Sequence, residues 1–265
     1  MTFLLALLAR AAVSAAVVVT ATVVAEASGP FWGGLIVSLP IGAGPAYAML
    51  ALQHDASFIA ASALGSFATN AATFVLLTTI ALLAPRVHWG WALIGAVCAW
   101  AAAVALIRQF VWDIFGASLL NLVVVLVCLA LTRSMGPDAA TPRGPIRRRW
   151  FELPARAALV GLMVGGVVTL SRALGPSLTG MAAVFPVAFT SFAFLVLPRV
   201  GGAVGAAIMA SAVRAMPGFA LALLTLHLAA VPLGVWSALL VALLPSLAWS
   251  AMLMIGHGRW RLRPA

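Results

Sequence analysis

Nine apolar stretches, each long enough to cross a lipid bilayer, dominate this sequence. A transmembrane helix needs about 17 to 25 mostly apolar residues, whereas a strand of a membrane barrel needs only about 9 to 11. Only 8% of the 265 residues are charged. Because lipid cannot bond to free backbone groups, such long stretches must be helical, and we expect an all-α polytopic membrane protein. The predicted spans are 3–25, 30–52, 57–84, 88–107, 113–132, 154–172, 176–197, 202–228 and 232–256.

One polar, arginine-rich segment divides the chain into two parts. Residues 1–135 hold a first repeat plus one extra crossing, spans one to five, and residues 154–265 hold a second repeat, spans six to nine. The basic linker between them, 136–153, contains three consecutive arginines at 147–149. The positive-inside rule places this linker in the cytoplasm. Span counting then predicts a multi-pass protein of the inner (plasma) membrane, with its N-terminus outside and its C-terminus cytoplasmic.

The net charge of +10 comes from fifteen basic residues, all of them arginine. Most of these arginines lie near the ends of predicted helices, which is typical of membrane topology and not of a nucleic-acid-binding stripe. We therefore expect membrane lipid as a partner and no nucleic acid. The oligomeric state stays open.

Helix-breaking residues recur along the chain at a constant spacing of 146 positions. Because five predicted crossings separate each residue from its counterpart, the second copy must run through the membrane in the opposite direction. The pattern therefore predicts an inverted-topology repeat, which is typical of secondary transporters. The matched pairs are Gly29/Gly175, Pro30/Pro176, Gly34/Gly180 and Pro40/Pro186.

Two repeated prolines, Pro40 and Pro186, fall near the middle of the second and seventh predicted spans. Each removes a backbone hydrogen bond, and Pro186 is expected to free the carbonyl of Ala182. Gly42 and Gly44 add further flexibility after Pro40. Unwound backbone at mid-membrane is tolerated only where it is buried in protein or lines a cavity. We predict broken helices that meet near a pseudo-twofold axis; the alternative is a pair of simple packed kinks.

Arg214 is the charged residue placed nearest the middle of a predicted span. Pro217 and Gly218 are expected to interrupt that span, which puts Arg214 in the last turn of a half-helix. Asn70 is predicted at a matching depth, and Asn121 lies midway along the fifth span. Arg214 and Asn70 are candidates to hold a solute; alternatively, Arg214 is bound structurally by carbonyls freed at the kinks, or reaches an interface. The predicted substrate-binding residues are Pro40, Gly42, Gly44, Asn70, Pro186 and Arg214.

No signature of an enzyme, a cofactor site or a metal site is present in the sequence. The five carboxylates lie near span ends or in the linker, and the four histidines are not at metal-ligand spacing. We therefore expect no catalytic residues, no cofactor and no metal. Asp55 and Asp113 are candidates for proton coupling, with a plain interfacial role as the alternative.

The stretch that contains Gly180, Phe185 and Pro186, followed by Pro217, resembles the GlpM-like family of small inner-membrane proteins. Chains of that family are about half as long as this one. The resemblance implies that this chain is a tandem fusion of two such units in opposite orientation. It implies no activity and no catalytic residues.

Two functions are compatible with these features. The first is a small secondary transporter or exporter that moves a small solute, with an anion as one option, by alternating access at the repeat interface. The alternative is a non-transporting envelope membrane protein, either a lipid-handling factor or a structural subunit that stabilises a partner.

Overall fold

The computed structural model describes residues 43–135 and 151–261, together with the isolated positions 16 and 20. These residues form eight helices, and no strand occurs within the described ranges. In chain order the helices are α1 (Ala43–Ala51), α2 (Ala56–Leu83), α3 (Trp89–Ile107), α4 (Ile114–Thr132), α5 (Glu152–Ala183), α6 (Val187–Val200), α7 (Gly202–Leu233) and α8 (Val235–Arg261).

Six of these helices, α2, α3, α4, α5, α7 and α8, are long and apolar enough to cross a membrane. The prediction of an all-α chain with several membrane-type helices is therefore confirmed for the described residues. The first predicted span and the first part of the second fall on residues 1–42, which lie outside the described ranges apart from the two isolated positions.

Helix α2 forms the centre of the fold. Nineteen of its 28 residues are buried, and it packs against α3, α4, α5 and α7. Twelve of the buried residues are alanine, glycine, serine or threonine, and most of the larger apolar ones lie toward the C-terminal end. Small residues allow neighbouring membrane helices to approach closely, which explains why four helices fit around this one.

Helix α4 shows how the peripheral helices divide into two faces. Its inward face carries small or polar residues: Ala117, Asn121, Cys128 and Thr132 are all buried. Its outward face carries the large apolar residues Phe115, Leu119, Leu122, Leu126 and Leu131. A soluble helix places its large apolar residues inward, so this inverted arrangement is that of a helix facing lipid.

Helices α2 and α7 pack side by side and antiparallel. The carbonyl of Ala84, just after α2, lies against Gly202 at the start of α7. Toward the other end, His227 Nδ1 of α7 lies 2.8 Å from the Ala60 carbonyl of α2. Helix α3 packs on α2 and α6, whereas α8 packs on α7 and α1.

The seventh predicted span is broken at Pro186, as the sequence predicts. Helix α5 ends at Ala183 and α6 begins at Val187. Pro186 adopts φ −79° and ψ 57°, and the Val187 N–H donates to the Phe185 carbonyl at 2.7 Å, which forms an inverse γ-turn. The Ala182 carbonyl is not left free, however, because the Phe185 N–H donates to it at 3.2 Å.

A second interruption occurs at Gly175, inside α5. Its φ of 71° and ψ of 174° are non-helical, and this positive φ is readily available only to glycine. The interruption coincides with the predicted boundary between the sixth and seventh spans.

The expected break at Pro217 is wrong, because α7 continues through it from Gly202 to Leu233. A proline removes one N–H, and neighbouring helices can bond to the carbonyls it disturbs. Here the Trp249 indole N–H of α8 donates to the Arg214 carbonyl at 2.9 Å. Gly218 leaves room for this contact, since a Cβ there would lie 2.8 Å from Trp249 Cβ. Arg214 is therefore not at the end of a half-helix.

The close approach of α5 to α2 yields a stability prediction. A Cβ at Gly180 would lie 1.9 Å from the Ser62 carbonyl oxygen, so Gly180→Ala forces the two backbones apart. We expect a loss of about 1 to 3 kcal/mol, measured as a lower melting temperature in detergent. Gly166→Ala, at a position in the same helix where a Cβ meets nothing within 4 Å, is the control. Equal melting temperatures for the two variants would contradict the prediction.

Candidate functional site

A row of polar side chains lies on the buried face of α2. Ser62, Ser66, Thr69 and Thr73 follow one another at intervals of four, three and four residues, which places them on one side of the helix. Asn70 lies beside them, and all five residues are at most 3% exposed. We call these five residues the polar face of α2. Of these five residues the sequence analysis predicts only Asn70 as a solute-binding residue, although the spacing of the hydroxyl residues is readable in the sequence.

Four oxygen atoms of the polar face have no hydrogen-bond partner among the described residues: Ser62 Oγ, Thr69 Oγ1, Asn70 Oδ1 and Thr73 Oγ1. Membrane helices usually satisfy hydroxyls by bonding them to the carbonyl four residues earlier. Thr79 does so with Val75 at 2.8 Å, and Ser118 with Ile114 at 2.6 Å. A buried polar group without a partner costs about 1 to 3 kcal/mol. The polar face is therefore suited to bind water or a solute.

Ser66 anchors one wall of this region. It donates its single proton to the Gly180 carbonyl at 2.6 Å, so the Tyr47 hydroxyl, 2.6 Å away, must donate to Ser66. This chain joins α1, α2 and α5 inside the core. Gly180 lies six residues before Pro186. The hydrogen bond from Ser66 to the Gly180 carbonyl therefore also holds the broken part of the seventh span beside the polar face.

Asn70 and Asn121 form a buried pair between α2 and α4. Asn70 Nδ2 donates to Asn121 Oδ1 at 3.3 Å. Asn121 Nδ2 donates to the Phe67 carbonyl at 2.7 Å and to the Ala117 carbonyl at 3.0 Å. The structure thus brings together the two asparagines that the sequence placed near mid-span.

The polar face ends at Thr73. Beyond it, Phe74, Leu77 and Ile80 of α2 form a fully buried apolar cluster with side chains of α6 and α7, namely Leu197, Met209 and Val213. From Ser62 to Thr73 the helix rises about 16 Å, roughly half of the hydrocarbon thickness of a bilayer. One half of the central helix is therefore polar on this side, and the other half is closed by apolar packing.

Arg214 does not join Asn70. Its Nη2 donates to the carbonyls of Thr132 and Met135, at 3.2 and 3.3 Å. A cation is favourable at this position because the C-terminus of α4 carries the negative end of the helix dipole. Asn121, the partner of Asn70, lies eleven residues before Thr132, or about 16 Å along α4. This geometry favours a structural role for Arg214, with carbonyls supplied by the end of α4 and not by the kinks.

Asp55 and Asp113 are N-caps. Asp55 Oδ1 accepts from the Phe58 N–H and the Ser57 hydroxyl, both at 2.9 Å, and these bonds hold its pKa below the ordinary aspartate value. Asp113 Oδ1 accepts from the Gly116 N–H at 2.8 Å in the same way. An N-cap carboxylate acts in its ionised form. The geometry therefore favours the interfacial role over proton coupling.

Three predicted site residues remain, and the structure describes one of them, Gly44. Pro40 and Gly42 lie outside the described residues. Gly44 is in the first turn of α1, where a Cβ would meet nothing within 4 Å. Among the described residues, no three histidine, cysteine or acidic side chains are grouped closely enough to hold a metal ion.

His54 ties the turn between α1 and α2 to α5. Ser171 donates to the Val168 carbonyl, so His54 Nε2 must donate its proton to Ser171 Oγ, 2.6 Å away. The ring also stacks on Phe58, with the ring centroids 3.7 Å apart. Burial and the nearby Arg172 guanidinium lower the pKa of His54, while Asp55 opposes this effect.

No family model, curated protein or solved structure matches this chain. The resemblance to GlpM-like proteins therefore stays a prediction, and function has to be inferred from the geometry of the polar face.

Replacement of Arg214 tests its structural role. In Arg214→Met, the two carbonyls at the end of α4 lose a charged donor, and we expect a loss of stability of about 1 to 3 kcal/mol. The measurement is the melting temperature of the detergent-solubilised protein. Arg133→Met removes an exposed arginine at the same helix end and should have little effect. An unchanged melting temperature in Arg214→Met would rule out the assigned role.

His54 predicts a pH dependence of stability. The unfolded chain takes up a proton near the ordinary histidine pKa of about 6.5, before the folded protein does. The contribution of His54 is therefore complete above about pH 6.5 and is lost as the pH falls through the lowered pKa of the folded state. Between pH 7.5 and 5.5 the melting temperature should fall more in the wild type than in His54→Gln. An equal fall of the melting temperature in the wild type and in His54→Gln would contradict the prediction.

Proposed function

We propose that this protein is a small secondary transporter or exporter, and that the polar face of α2 forms part of the solute path. The observation that carries the proposal is the set of four buried oxygen atoms on the polar face that have no hydrogen-bond partner among the described residues. In a membrane, polar groups of this kind are costly, and they usually mark a path or a binding site.

The arrangement of the helices supports the inverted repeat that the sequence predicts. Helices α2 and α7 begin 146 residues apart, at Ala56 and Gly202, and so do α3 and α8, at Trp89 and Val235. This spacing of 146 residues equals that of the repeated glycines and prolines. The agreement supports a duplicated repeat within a chain of nine spans.

The contacts support an inversion. The paired helices α2 and α7 are antiparallel, as an axis in the membrane plane requires. The contact of α3 with α6 has its counterpart in the contact of α8 with α1. Helix α4 is the crossing without a twin, and it packs against both α2 and α7.

Alternating access follows from the two unequal halves of α2. With the linker in the cytoplasm, the N-terminal end of α2 faces outward, so the buried polar face lies in the outer half of the membrane. The apolar cluster around Phe74, Leu77 and Val213 then closes the cytoplasmic side. Rocking of one repeat against the other, with the Pro186 break as a flexible segment, would open the cluster and expose the polar face to the cytoplasm.

The alternative is a non-transporting envelope protein that handles lipid or stabilises a partner. The wide apolar faces of α3 and α4 favour it, since they could contact a partner helix. Lipid covers such faces equally well, however, and this alternative assigns no role to the unpartnered oxygens of α2. We therefore place it second.

Accessibility of the polar face to water tests the proposal without knowledge of the solute. In a background with Cys98→Ser and Cys128→Ala, single cysteines replace Ser62, Thr69 or Thr73. A membrane-impermeant, positively charged thiol reagent is added to one side of sealed vesicles at a time. We expect modification of all three cysteines, from the outside in one state and from the cytoplasmic side in another.

Leu122→Cys is the matched control. Leu122 follows Asn121 in α4 and so lies near the same depth, but it is 56% exposed on the face assigned to lipid. It should not react, because the reagent does not enter hydrocarbon. If the three polar-face cysteines are as unreactive as Leu122→Cys from both sides, the transport proposal fails.

A further inference from the structure

The orientation of the Asn121 amide is determined by its neighbours. Its nitrogen lies 2.7 Å from the Phe67 carbonyl oxygen and 3.0 Å from the Ala117 carbonyl oxygen. Carbonyl oxygens only accept hydrogen bonds, so only the amide NH₂ group can occupy that position. Both of its protons are thereby used, and Asn121 Oδ1 must point the other way, toward Asn70.

This orientation dictates that of Asn70. Asn121 Oδ1 is an acceptor, so the Asn70 group 3.3 Å from it must be the NH₂ group. The Asn70 Oδ1 atom is then turned away from Asn121. It is buried and has no hydrogen-bond partner in the described part of the chain. Asn121 thus acts as a positioning residue that makes Asn70 present an acceptor to whatever binds there.

An acceptor at this position selects against anions. A carboxylate or phosphate oxygen would meet the lone pairs of Asn70 Oδ1, which cannot donate. Arg214 is not at the polar face either: its Nη2 bonds to carbonyls at the end of α4, about 16 Å along that helix from Asn121, and its buried Nη1 has no partner among the described residues. A solute with net charge would lack a bonded counter-charge at the polar face, at a cost of several kcal/mol.

The other unpartnered atoms on the polar face are hydroxyls, which both donate and accept. Thr69 and Thr73 lie one turn apart, about 6 Å along the helix, and Ser62 lies about 10 Å before Thr69. A solute with several hydroxyl or amide groups matches this pattern, because it can donate to Asn70 Oδ1 and exchange bonds with the hydroxyls.

We infer that the solute is small, neutral and rich in hydrogen-bond donors, as a polyol or a urea-type amide is, and that Asn121 sets this preference through Asn70. The inference rests on the proposed transport function. It replaces the anion among the sequence-based options with a neutral molecule and assigns Asn121 a role in specificity.

Solute flux into proteoliposomes tests the inference. Stopped-flow light scattering follows swelling in erythritol and urea, which donate hydrogen bonds, and in trimethylamine N-oxide, which only accepts them. Uptake of radiolabelled phosphate provides the anionic comparison. We expect erythritol and urea to enter faster than into liposomes without protein, and trimethylamine N-oxide and phosphate to enter at the protein-free rate.

The variant Asn121→Leu separates positioning from mere stability. Without Asn121, the Asn70 amide can rotate and present its NH₂ group, so the ratio of erythritol to trimethylamine N-oxide flux should fall by about fivefold to tenfold. A purely structural defect lowers only the erythritol flux, because trimethylamine N-oxide already enters with the wild type at the protein-free rate. The positioning role therefore requires that trimethylamine N-oxide flux in Asn121→Leu rise above the protein-free rate. Ser118→Ala, one turn away on α4, should keep the wild-type ratio. If Asn121→Leu does not fold, Asn70→Val must reduce erythritol flux to the protein-free rate.

Each other outcome overturns the inference. Phosphate flux without erythritol or urea flux shows an anion transporter, which leaves the proposed function standing. If no probe enters but the polar-face cysteines are accessible from alternate sides, the inference about the solute fails and the proposed transport function stands. Unreactive cysteines together with absent flux overturn both proposals. An unchanged flux ratio in folded Asn121→Leu removes the positioning role.

Discussion

The close approach of α5 to α2 is the contact on which the site depends. Gly180 lies directly over the Ser62 carbonyl, and this proximity lets Ser66 reach the Gly180 carbonyl at 2.6 Å. That bond orders Tyr47 and holds the segment before the Pro186 break against the central helix. A side chain at position 180 would separate the two backbones and remove the packing of α5 against the polar face.

Polar and apolar parts of α2 have different tasks. The apolar end packs large side chains from α6 and α7 and excludes water. At the polar end, buried hydroxyl and amide oxygens have no partner in the described part of the chain, although a carbonyl one turn back is the usual acceptor for a membrane hydroxyl. A chain selected only for packing would gain stability from apolar residues at these positions. The presence of polar residues there instead is the physical reason to infer that water or a solute binds to this part of α2.

Arg214 and Asn70 show how tertiary contacts separate residues of similar predicted depth. The arginine side chain extends along α7 to the end of α4, where it neutralises the negative end of a helix dipole. Asn70 stays in the core, where it pairs with Asn121. Asn121 also belongs to α4, but it lies about 16 Å along the helix axis from the end that binds Arg214. The charge bonds to backbone carbonyls at the end of α4, and the neutral amide of Asn70 is the group to which we assign a role in binding.

The sequence by itself determined the helical, membrane-type architecture, the break at Pro186 and the boundary at Gly175, because bilayer thickness and proline chemistry act locally. It also indicated Asn70. The continuity of α7 through Pro217 could not be predicted, since the contact of Trp249 with the Arg214 carbonyl beside it comes from another helix. The pairing of Asn70 with Asn121, the capture of Arg214 by α4 and the absence of partners on the polar face were decided only by tertiary structure. Each depends on which backbone carbonyls come within about 3 Å of a side chain, and sequence spacing carries no such information.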